Sequence, residues 1–574
     1  MNALLIHANN LNPDLIDRFP GEKVVIDYSQ SIQRSNFILD WFLHEELSKA
    51  FENKAYQVIF IPYTLSQQNY LELTGLRIAA HIRTTEEFNH LYVPIVFVGP
   101  ETPEQIAKLS DLGNILFTSG IFSTTNQEAD YLKRFFDRIM TMKPKITDDH
   151  EYKKSIRRLQ LSPPANYQSH HSIDNELALL RWSEYLKCDD RISDVKENLK
   201  AGLYFKYHKI LNPVKPPDNK GNPFLIHGKG KVLLIDDEAK KGWADFYRCF
   251  FKHNIVNESI EFDALDLEFK SLSQQDIIEA AKERVEQFDA DIVLLDLRLC
   301  DSDFKDTQIE PKKLTGYKIL EEIKKINKGI QVIITTASDK IWNYQSTHEL
   351  GVCGYIIKRG NSDVAEDINN LKQNIETCVE RAEYLKSTCR ITNSLNDSLN
   401  RAIKDKKIDR NFGKELIKLL DISFKMYDNA RTKGDFAYAY LALFKCFELI
   451  LNQYTFYTFI DDSKVWQIVG PYPLKQYFWD DQDNTYKLKT PPSFRNDIPT
   501  TFEKIAGLSF QLWHYTKNDV RQLHYSIKRR NEFIHPSENA LSANLQTECD
   551  KIYISNGYSV LLKQISRIIS KITQ

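Results

Sequence analysis

The chain has 574 residues and a formal net charge of −2, with 27% charged and 12% aromatic residues. This composition is typical of a folded globular protein, and the length predicts about three or four domains. Because the net charge is close to zero, a nucleic-acid partner has to be argued from local basic clusters, and no DNA partner is expected.

The sequence carries no clear signal for a zinc site, secretion or a membrane. Its eight cysteines are scattered without a CxxC pair or a clustered histidine. His170, His171 and Glu176 lie close together, but without another strong ligand they favour helix caps or surface positions over a metal site. The start, MNALLIHANNLNPD, lacks the features of a signal peptide, and no run is long enough to span a membrane. We therefore expect a reduced, cytoplasmic protein.

Residues 1–125 are predicted to form a doubly wound α/β domain, because apolar runs of strand length alternate with helical segments. The runs are NALLIHA (2–8), YQVIFIPYTLS (56–66), the helical GLRIAAHIR (75–83), VPIVFVGP (93–100) and GNILFTSGI (113–121). Open α/β sheets bind ligands at the carboxyl edge of their strands. One interpretation is therefore a small-molecule sensor, with a pocket lined by Asn9, Tyr63, Arg77 and Ser119.

Residues 126–225 are predicted to be a helical connector. Two segments have helical apolar spacing, ADYLKRFFDRIMTM and IDNELALLRWSEYL. NPVKPPDNKGNP (212–223) is rich in Pro, Gly and Asn, so it marks a linker before the next domain.

The central part, residues 226–390, contains four apolar runs that each end in a polar residue. They are KVLLIDDE (231–238), DIVLLDLRL (291–299), QVIITTAS (331–338) and GVCGYIIK (351–358). Such runs are typical of buried parallel strands, whose carboxyl ends meet at one edge of a sheet. That edge would hold Asp236, Asp237, Asp296, Thr336 and Lys358.

This set of side chains suits phosphoryl chemistry. Three crowded carboxylates repel one another unless a hard divalent cation lies among them, and Mg²⁺ is the expected ion. Asp296 could then attack a phosphoryl group, while Thr336 donates a hydrogen bond to a phosphoryl oxygen and Lys358 neutralises its charge. The alternative is an ordinary doubly wound domain whose strands happen to end in polar residues.

On these residues, the central stretch resembles the receiver domain of two-component response regulators. The resemblance implies a phosphoacceptor, Asp296, an acidic pair for Mg²⁺, Asp236 and Asp237, and a histidine kinase or other phosphodonor as partner. It also implies roles for the switch residues Thr336 and Tyr355 and for the active-site lysine, Lys358. Two features depart from the pattern: the segment between Asp296 and Gly316 is long, and Arg359 stands where a proline is usual.

The first domain repeats the outline of the central one without its chemistry. His7 and Ala8 replace the acidic pair, Pro62 falls at the position of the phosphoacceptor, and no lysine ends the last strand. We interpret residues 1–125 as a degenerate receiver-like domain that serves as a dimerisation or partner surface.

Residues 391–574 are predicted to form an all-α domain. A long helix is expected to run on from the central domain, and 460–515 is predicted to be an irregular insertion because of its DDSK, GPYP, DDQDN and TPPS segments. One helix, 434–454, has an apolar stripe that indicates deep packing. The stripe consists of Ala437, Tyr440, Leu441, Phe444, Phe447 and Leu451.

A second candidate site lies in HYSIKRRNEFIHPSEN (524–539). Pro536 disfavours helix in the preceding residue, so the helix should stop near Ile534 or His535, which frees His535 to lie beside Arg530. An arginine can stabilise charge on an RNA phosphate, and a histidine can move protons at neutral pH. The alternative is a cationic helix C-terminus with His535 as a cap.

Arg530 and Asn531 followed by His535 resemble the Arg, four-to-six residues, His motif of HEPN domains. The upstream YLALFKCFELI helix is similar to the helix that precedes this motif in HEPN ribonucleases attached to CRISPR-associated sensor proteins. The resemblance implies catalytic roles for Arg530 and His535, an orienting role for Asn531, and a site built by two protomers without a metal ion.

The sequence therefore predicts a phosphorylation-regulated homodimeric ribonuclease, in bacterial defence or stress response. One rival hypothesis is a non-enzymatic signalling adaptor whose helical domain recruits a partner. Another makes the first domain the sensor and the central domain a relay that is no longer phosphorylated. The predicted domains are 1–125, 126–225, 226–390 and 391–574.

Overall fold

A computed structural model describes most of the chain, and the structural statements below concern that part. None of its helices is long and apolar enough to cross a membrane. The described residues are 2–34, 37–66, 69–141, 149–159, 161, 164, 170–188, 192–215, 225–252, 260–305, 310–337, 350–460, 462–470, 472–493, 498–534, 547, 549–550, 552–553 and 556–573.

The chain divides into two compact units. The first comprises Met1–Ala281, Leu294–Tyr317 and Ile333–Glu376. The second comprises Lys282–Val293, Lys318–Val332 and Thr377–Gln574.

The N-terminal domain is built on a five-stranded sheet with the order β2-β1-β3-β4-β5. All pairs in it are parallel. This is the doubly wound topology that the alternation of strands and helices predicts. The strands are β1 (Ala3–His7), β2 (Glu22–Val25), β3 (Val58–Pro62), β4 (Ile95–Val98) and β5 (Ile121–Thr124).

Helices cover both faces of this sheet, and each face has its own apolar core. The last helix carries Leu132, Phe136 and Ile139 into the core that contains Ala3 and Phe60. The segment predicted to open the connector therefore packs on the first domain. The helices are α1 (Pro13–Arg18), α2 (Leu39–Phe51), α3 (Thr74–Thr84), α4 (Pro103–Ala107) and α5 (Ala129–Thr141).

The fifth strand differs from its predicted position at 113–121. Most of that segment is a 3-10 helix, Asp111–Phe117, and the strand begins only at Ile121. The Ser110 side chain caps the 3-10 helix by accepting from the Leu112 backbone N–H at 3.2 Å. Because apolar runs of this length suit either a strand or a buried turn of helix, their pattern alone does not separate the two.

Among its described residues the connector contains four further helices, and the apolar spacing of 173–186 predicts the second of them. They are α6 (Asp149–Ile156), α7 (His170–Tyr185), α8 (Ser193–Ala201) and α9 (Leu203–Leu211).

The central sheet repeats the topology of the first, with the order β10-β9-β8-β6-β7. The pairs of β6 with β7 and of β9 with β10 are parallel. Its strands are β6 (Gly230–Ile235), β7 (Ile260–Ala264), β8 (Ile292–Leu295), β9 (Gln331–Thr336) and β10 (Gly354–Ile357). Its helices include α10 (Trp243–Lys252), α11 (Gln274–Phe288) and α12 (Thr315–Ile326).

The C-terminal region is mostly helical and begins within α13 (Val364–Lys404), a helix of 41 residues. The predicted stripe is confirmed, since Ala437, Tyr440, Phe444 and Phe447 are almost completely buried. The other helices are α14 (Arg410–Asn429), α15 (Lys433–Tyr454), α16 (Thr501–Gln511), α17 (Lys517–Ile534) and α18 (Gly557–Thr573).

The predictions of an all-α domain and of an irregular insertion at 460–515 are wrong. That region contains antiparallel hairpins joined by short acidic turns. Aromatic and β-branched residues, which are enriched in TFYTFI and KQYFWD, are typical of strands, and this enrichment outweighs the turn-rich composition. The strands are β11 (Thr455–Ile460), β12 (Ser463–Ile468), β13 (Tyr472–Pro473), β14 (Lys475–Asp480) and β15 (Thr485–Ser493).

Candidate functional site

Backbone hydrogen bonds bring the polar strand ends of the central sheet together. The Asp296 N–H donates to the Ile235 carbonyl at 2.9 Å, so the residue after β8 lies beside the end of β6. The Lys358 N–H donates to the Thr336 carbonyl at 2.9 Å, which joins the ends of β10 and β9 in the same way. The five predicted residues therefore share one sheet edge.

Lys358 is a completely buried cation that faces two carboxylates. Its ammonium nitrogen lies 2.5 Å from Asp236 Oδ2 and 4.0 Å from Asp296 Oδ2. Burial lowers the pKa of Lys358, but Asp236 and Asp296 outweigh that effect and the pKa is raised. The ammonium is therefore held in its charged form, as a partner for negative charge at this edge.

Asp236, Asp237 and Asp296 form a compact carboxylate cluster. One oxygen from each lies within 4.8 Å of the others, and Asp236 and Asp296 are buried. Burial raises the pKa of Asp237, and the Asp236 and Asp296 charges raise it further. Burial likewise raises the pKa of Asp296, although Lys358 opposes the rise.

The cluster fits a hard divalent cation. Three carboxylates share one edge with one ammonium, so negative charge is in excess, and this excess raises the pKa of Asp237 and Asp296. Carboxylate oxygens are the ligands that Mg²⁺ prefers. Asp236, Asp237 and Asp296 are therefore the residues that could hold it.

Thr336 and Tyr355 lie on neighbouring strands close to the cluster. Thr336 is the last residue of β9 and is 2% exposed. Tyr355 is half-buried on β10, where it pairs with Ile334, two residues before Thr336. The two predicted switch residues therefore lie on neighbouring strands, two positions apart in the register.

The long segment after Asp296 is held by an acid that the sequence analysis missed. Asp303 is completely buried and accepts backbone N–H groups from Leu299, Cys300 and Thr315 at 3.0, 3.1 and 3.2 Å. In the sequence Asp303 is one of several acids in a polar stretch, so no spacing signal marks it.

Gly316 lies at the end of this segment, close to the Asp296 backbone. A Cβ at Gly316 would lie 2.1 Å from the Asp296 carbonyl oxygen, so no larger residue fits there without a shift. The Gly316 N–H also donates to the Leu297 carbonyl at 3.1 Å. The backbone beside the predicted phosphoacceptor is therefore tightly fixed.

The N-terminal sheet carries no carboxylate at the equivalent strand ends. β1 ends at His7, whose pKa is lowered by burial and by Lys23, and β3 ends at Pro62. Three of the four residues of the alternative sensor pocket have different neighbours. Tyr63 stacks on Phe97, Arg77 pairs with Asp40, and Ser119 lines a small cavity beside Arg83.

In the C-terminal region, α15 and α17 place Arg530 against an acid. Its Nη2 donates to Glu448 Oε1 at 3.0 Å, and its Nη1 donates to Asn531 Oδ1 at 3.0 Å. The guanidinium also lies over the Phe444 ring, 5.5 Å from the centroid. The Tyr440 hydroxyl donates to the Ser526 carbonyl at 2.7 Å, which fixes the two helices at a second point.

The helix that carries this motif is described over Lys517–Ile534, and its predicted stop near Ile534 or His535 stays a prediction, because the residues that follow lie outside the described part of the chain. His535 lies outside the described residues, and so do the side chains of His170 and His171. Among the residues that the structure describes, the group that could hold a metal ion is the Asp236, Asp237 and Asp296 cluster.

Comparison with known families identifies the N-terminal domain. Residues 10–124 match the family model described as "Inactive Receiver domain". This confirms the prediction of a receiver-like domain that lacks the acids. No curated protein matches the chain.

Proposed function

We propose that the central domain is a phosphoryl-accepting receiver and that Asp296 is its phosphoacceptor. The observation that carries the proposal is the buried arrangement of Lys358 between Asp236 and Asp296, at 2.5 and 4.0 Å. The strand order of the central sheet matches that of the domain identified as an inactive receiver.

The chemistry follows from the positions of these groups. An Asp296 carboxylate oxygen attacks the phosphorus of a phosphodonor, the bond from phosphorus to the leaving group breaks, and an acyl phosphate forms. Lys358 neutralises a phosphoryl oxygen, and Thr336 donates a hydrogen bond to another. When bound by Asp236, Asp237 and Asp296, Mg²⁺ supplies further positive charge at the phosphoryl oxygens.

The proposal is tested by incubating the full chain with acetyl phosphate and Mg²⁺. The wild type should gain one phosphoryl group in a base-labile form, and Asp296→Asn should gain none. Asp301→Asn is the matched control, because Asp301 is an exposed acid on the same loop. Equal labelling of Asp296→Asn and wild type would exclude Asp296 as the acceptor.

We propose as a second function that the C-terminal region is a HEPN-type ribonuclease acting as a homodimer. It is favoured by the Arg530 and Glu448 contact, which joins the motif to the upstream helix that resembles its HEPN counterpart. In this mechanism the ribose 2′-OH attacks the adjacent phosphorus and the 5′-oxygen leaves, giving a cyclic phosphate. Arg530 neutralises the phosphate and His535 moves protons between the two oxygens.

The RNase proposal predicts that Arg530→Ala and His535→Ala abolish RNA cleavage. Lys528→Ala should retain it, because Lys528 is an exposed cation on the same helix. Equal cleavage by all four proteins would point to a contaminating nuclease, and no cleavage by any of them would favour the signalling adaptor. In the combined proposal, phosphorylation of Asp296 regulates the ribonuclease in a bacterial defence or stress response.

A further inference from the structure

The connector helix α7 contacts both loops that border the carboxylate cluster, within the first compact unit. On one side lies Gly242, which has φ of +125° and where a Cβ would lie 3.0 Å from Leu179 Cδ2. On the other lies Gly360, two residues after Lys358, where a Cβ would lie 2.6 Å from Leu177 Cβ. Two glycines thus allow α7 to approach the backbone on both sides of the site.

A hydrogen bond fixes α7 to the second of these loops. Arg181 Nη1 donates to the Gly360 carbonyl at 2.8 Å. The Arg181 side chain is buried, and burial lowers its pKa, although Asp367 and Asp363 oppose the shift. This contact holds the loop that contains Arg359, which stands where receiver domains usually have a proline.

Two tryptophans connect α7 to the active-site lysine. Trp182 on α7 packs edge-on against Trp243, with ring centroids 5.5 Å apart and planes at 88°. Trp243 begins α10, and the Lys358 ammonium lies 4.5 Å from the centroid of its ring. Both indoles are at most 1% exposed. The lysine is therefore confined between carboxylates and an indole face that α7 holds in place.

We infer that Trp182 and Trp243 are positioning residues for Lys358, and that α7 is a part of the phosphorylation site supplied by the connector. The inference rests on the proposed phosphorylation of Asp296. A cation is attracted to an indole face, most strongly when water is excluded, so Trp243 restricts where the ammonium can lie. Trp182 restricts the Trp243 ring in turn, through an edge-to-face contact.

The test compares the rate of acyl-phosphate formation from acetyl phosphate and Mg²⁺ in the full chain. Trp182→Leu and Trp243→Leu should lower the maximal rate by between about tenfold and about a hundredfold, as expected when a catalytic group is misplaced. The KM for acetyl phosphate should change little, because the donor still meets the same carboxylates. Trp182→Phe keeps an aromatic edge and should recover most of the rate.

Phe251→Leu is the matched control for loss of a buried ring. Phe251 lies on the same helix as Trp243 but packs against Phe262, so this variant should keep close to the wild-type rate. If the leucine variants do not fold, Arg181→Met serves as a second route, because it removes the contact with Gly360 and leaves both indoles. It should lower the maximal rate in the same way.

Each outcome decides the inference. Wild-type rates in Trp182→Leu and Arg181→Met would overturn it while leaving the proposed function intact. So would an equal loss in Phe251→Leu, because the effect would then reflect packing alone. If the wild type forms no acyl phosphate, the proposed function fails and the inference fails with it.

Discussion

Lys358 and Asp236 form an ion pair in which both side chains are completely buried, with 2.5 Å between the ammonium nitrogen and Oδ2. A buried ion pair contributes little to stability as a whole, but removal of one partner leaves an uncompensated charge. Asp237 and Asp296 add further negative charge around Lys358, which lies beside all three acids. Removal of the lysine would therefore leave several carboxylates without a compensating charge. Lys358 thus supports the folded state as well as the proposed chemistry.

Replacement of this lysine should therefore destabilise the central domain strongly. We expect Lys358→Met to lower the free energy of unfolding by about 3–5 kcal/mol, measured by urea denaturation without divalent cations. Lys325→Met is the control, because Lys325 forms an exposed pair with Glu322, and it should change the free energy of unfolding little. Similar losses in the two variants would argue against a buried charge imbalance.

Mg²⁺ should stabilise the protein by binding to the carboxylate cluster. At a concentration about a hundred times the dissociation constant, binding to the folded state alone adds about 2.7 kcal/mol. The melting temperature of wild type should therefore rise with Mg²⁺, and Asp237→Asn should lose most of this rise. If the variant responds as fully as wild type does, the cluster is not the binding site.

Asp303 should be important for the loop beside the phosphoacceptor. Asp303→Ala would leave buried backbone N–H groups of Leu299, Cys300 and Thr315 without their acceptor, and each such loss costs about 1–3 kcal/mol. We expect a total loss of at least about 3 kcal/mol by urea denaturation, and faster hydrogen exchange at these amides. Unchanged exchange there would contradict the proposed role of Asp303.

The N-terminal domain should lose stability in acid because of His81. The pKa of His81 is lowered to about 4, chiefly by burial and also by the neighbouring Lys206 ammonium, while Asp40 opposes the shift. Between pH 6.5 and pH 4 the unfolded chain binds a proton that the folded domain does not, so stability falls as the pH falls, by about 1.4 kcal/mol per unit at most.

This pH dependence can be assigned with one variant. His81→Gln removes one group that titrates in this range, so the unfolding free energy of the variant should fall less steeply between pH 6.5 and pH 4 than that of wild type. His150→Gln is the control, because it replaces a histidine that is exposed on α6. If His81→Gln keeps the full wild-type slope, other groups cause the acid sensitivity.

Four strands of the central sheet, β6, β8, β9 and β10, could be predicted because each combines an apolar run with a polar end, whereas β2 and β7 lack this pattern and were not predicted. Because parallel strands point the same way, this pattern predicts that Asp236, Asp296 and Lys358 lie at one edge of the central sheet. The sequence also shows that His7 and Pro62 stand where an active receiver carries acids. This agrees with the match to the inactive receiver family model.

Other parts of the structure depend on contacts between distant segments, which local patterns do not reveal. Asp303 looks like any loop acid until the fold brings Thr315 to it. Trp182 looks like one apolar residue of a helical stripe until α7 meets Trp243. The hairpins after Thr455 are a different case, because their aromatic and β-branched residues are interrupted by segments whose composition is typical of turns.

The central claim is that Asp296 accepts a phosphoryl group, and its most direct test is chemical mapping of the modified residue. Protein phosphorylated with acetyl phosphate and Mg²⁺ is treated with borohydride, which reduces an acyl phosphate to an alcohol, and is then digested and sequenced by mass spectrometry. We predict that the reduced residue is at position 296. Reduction at another acid, or an unmodified peptide spanning 291–299 from protein that carries phosphate, would contradict the account.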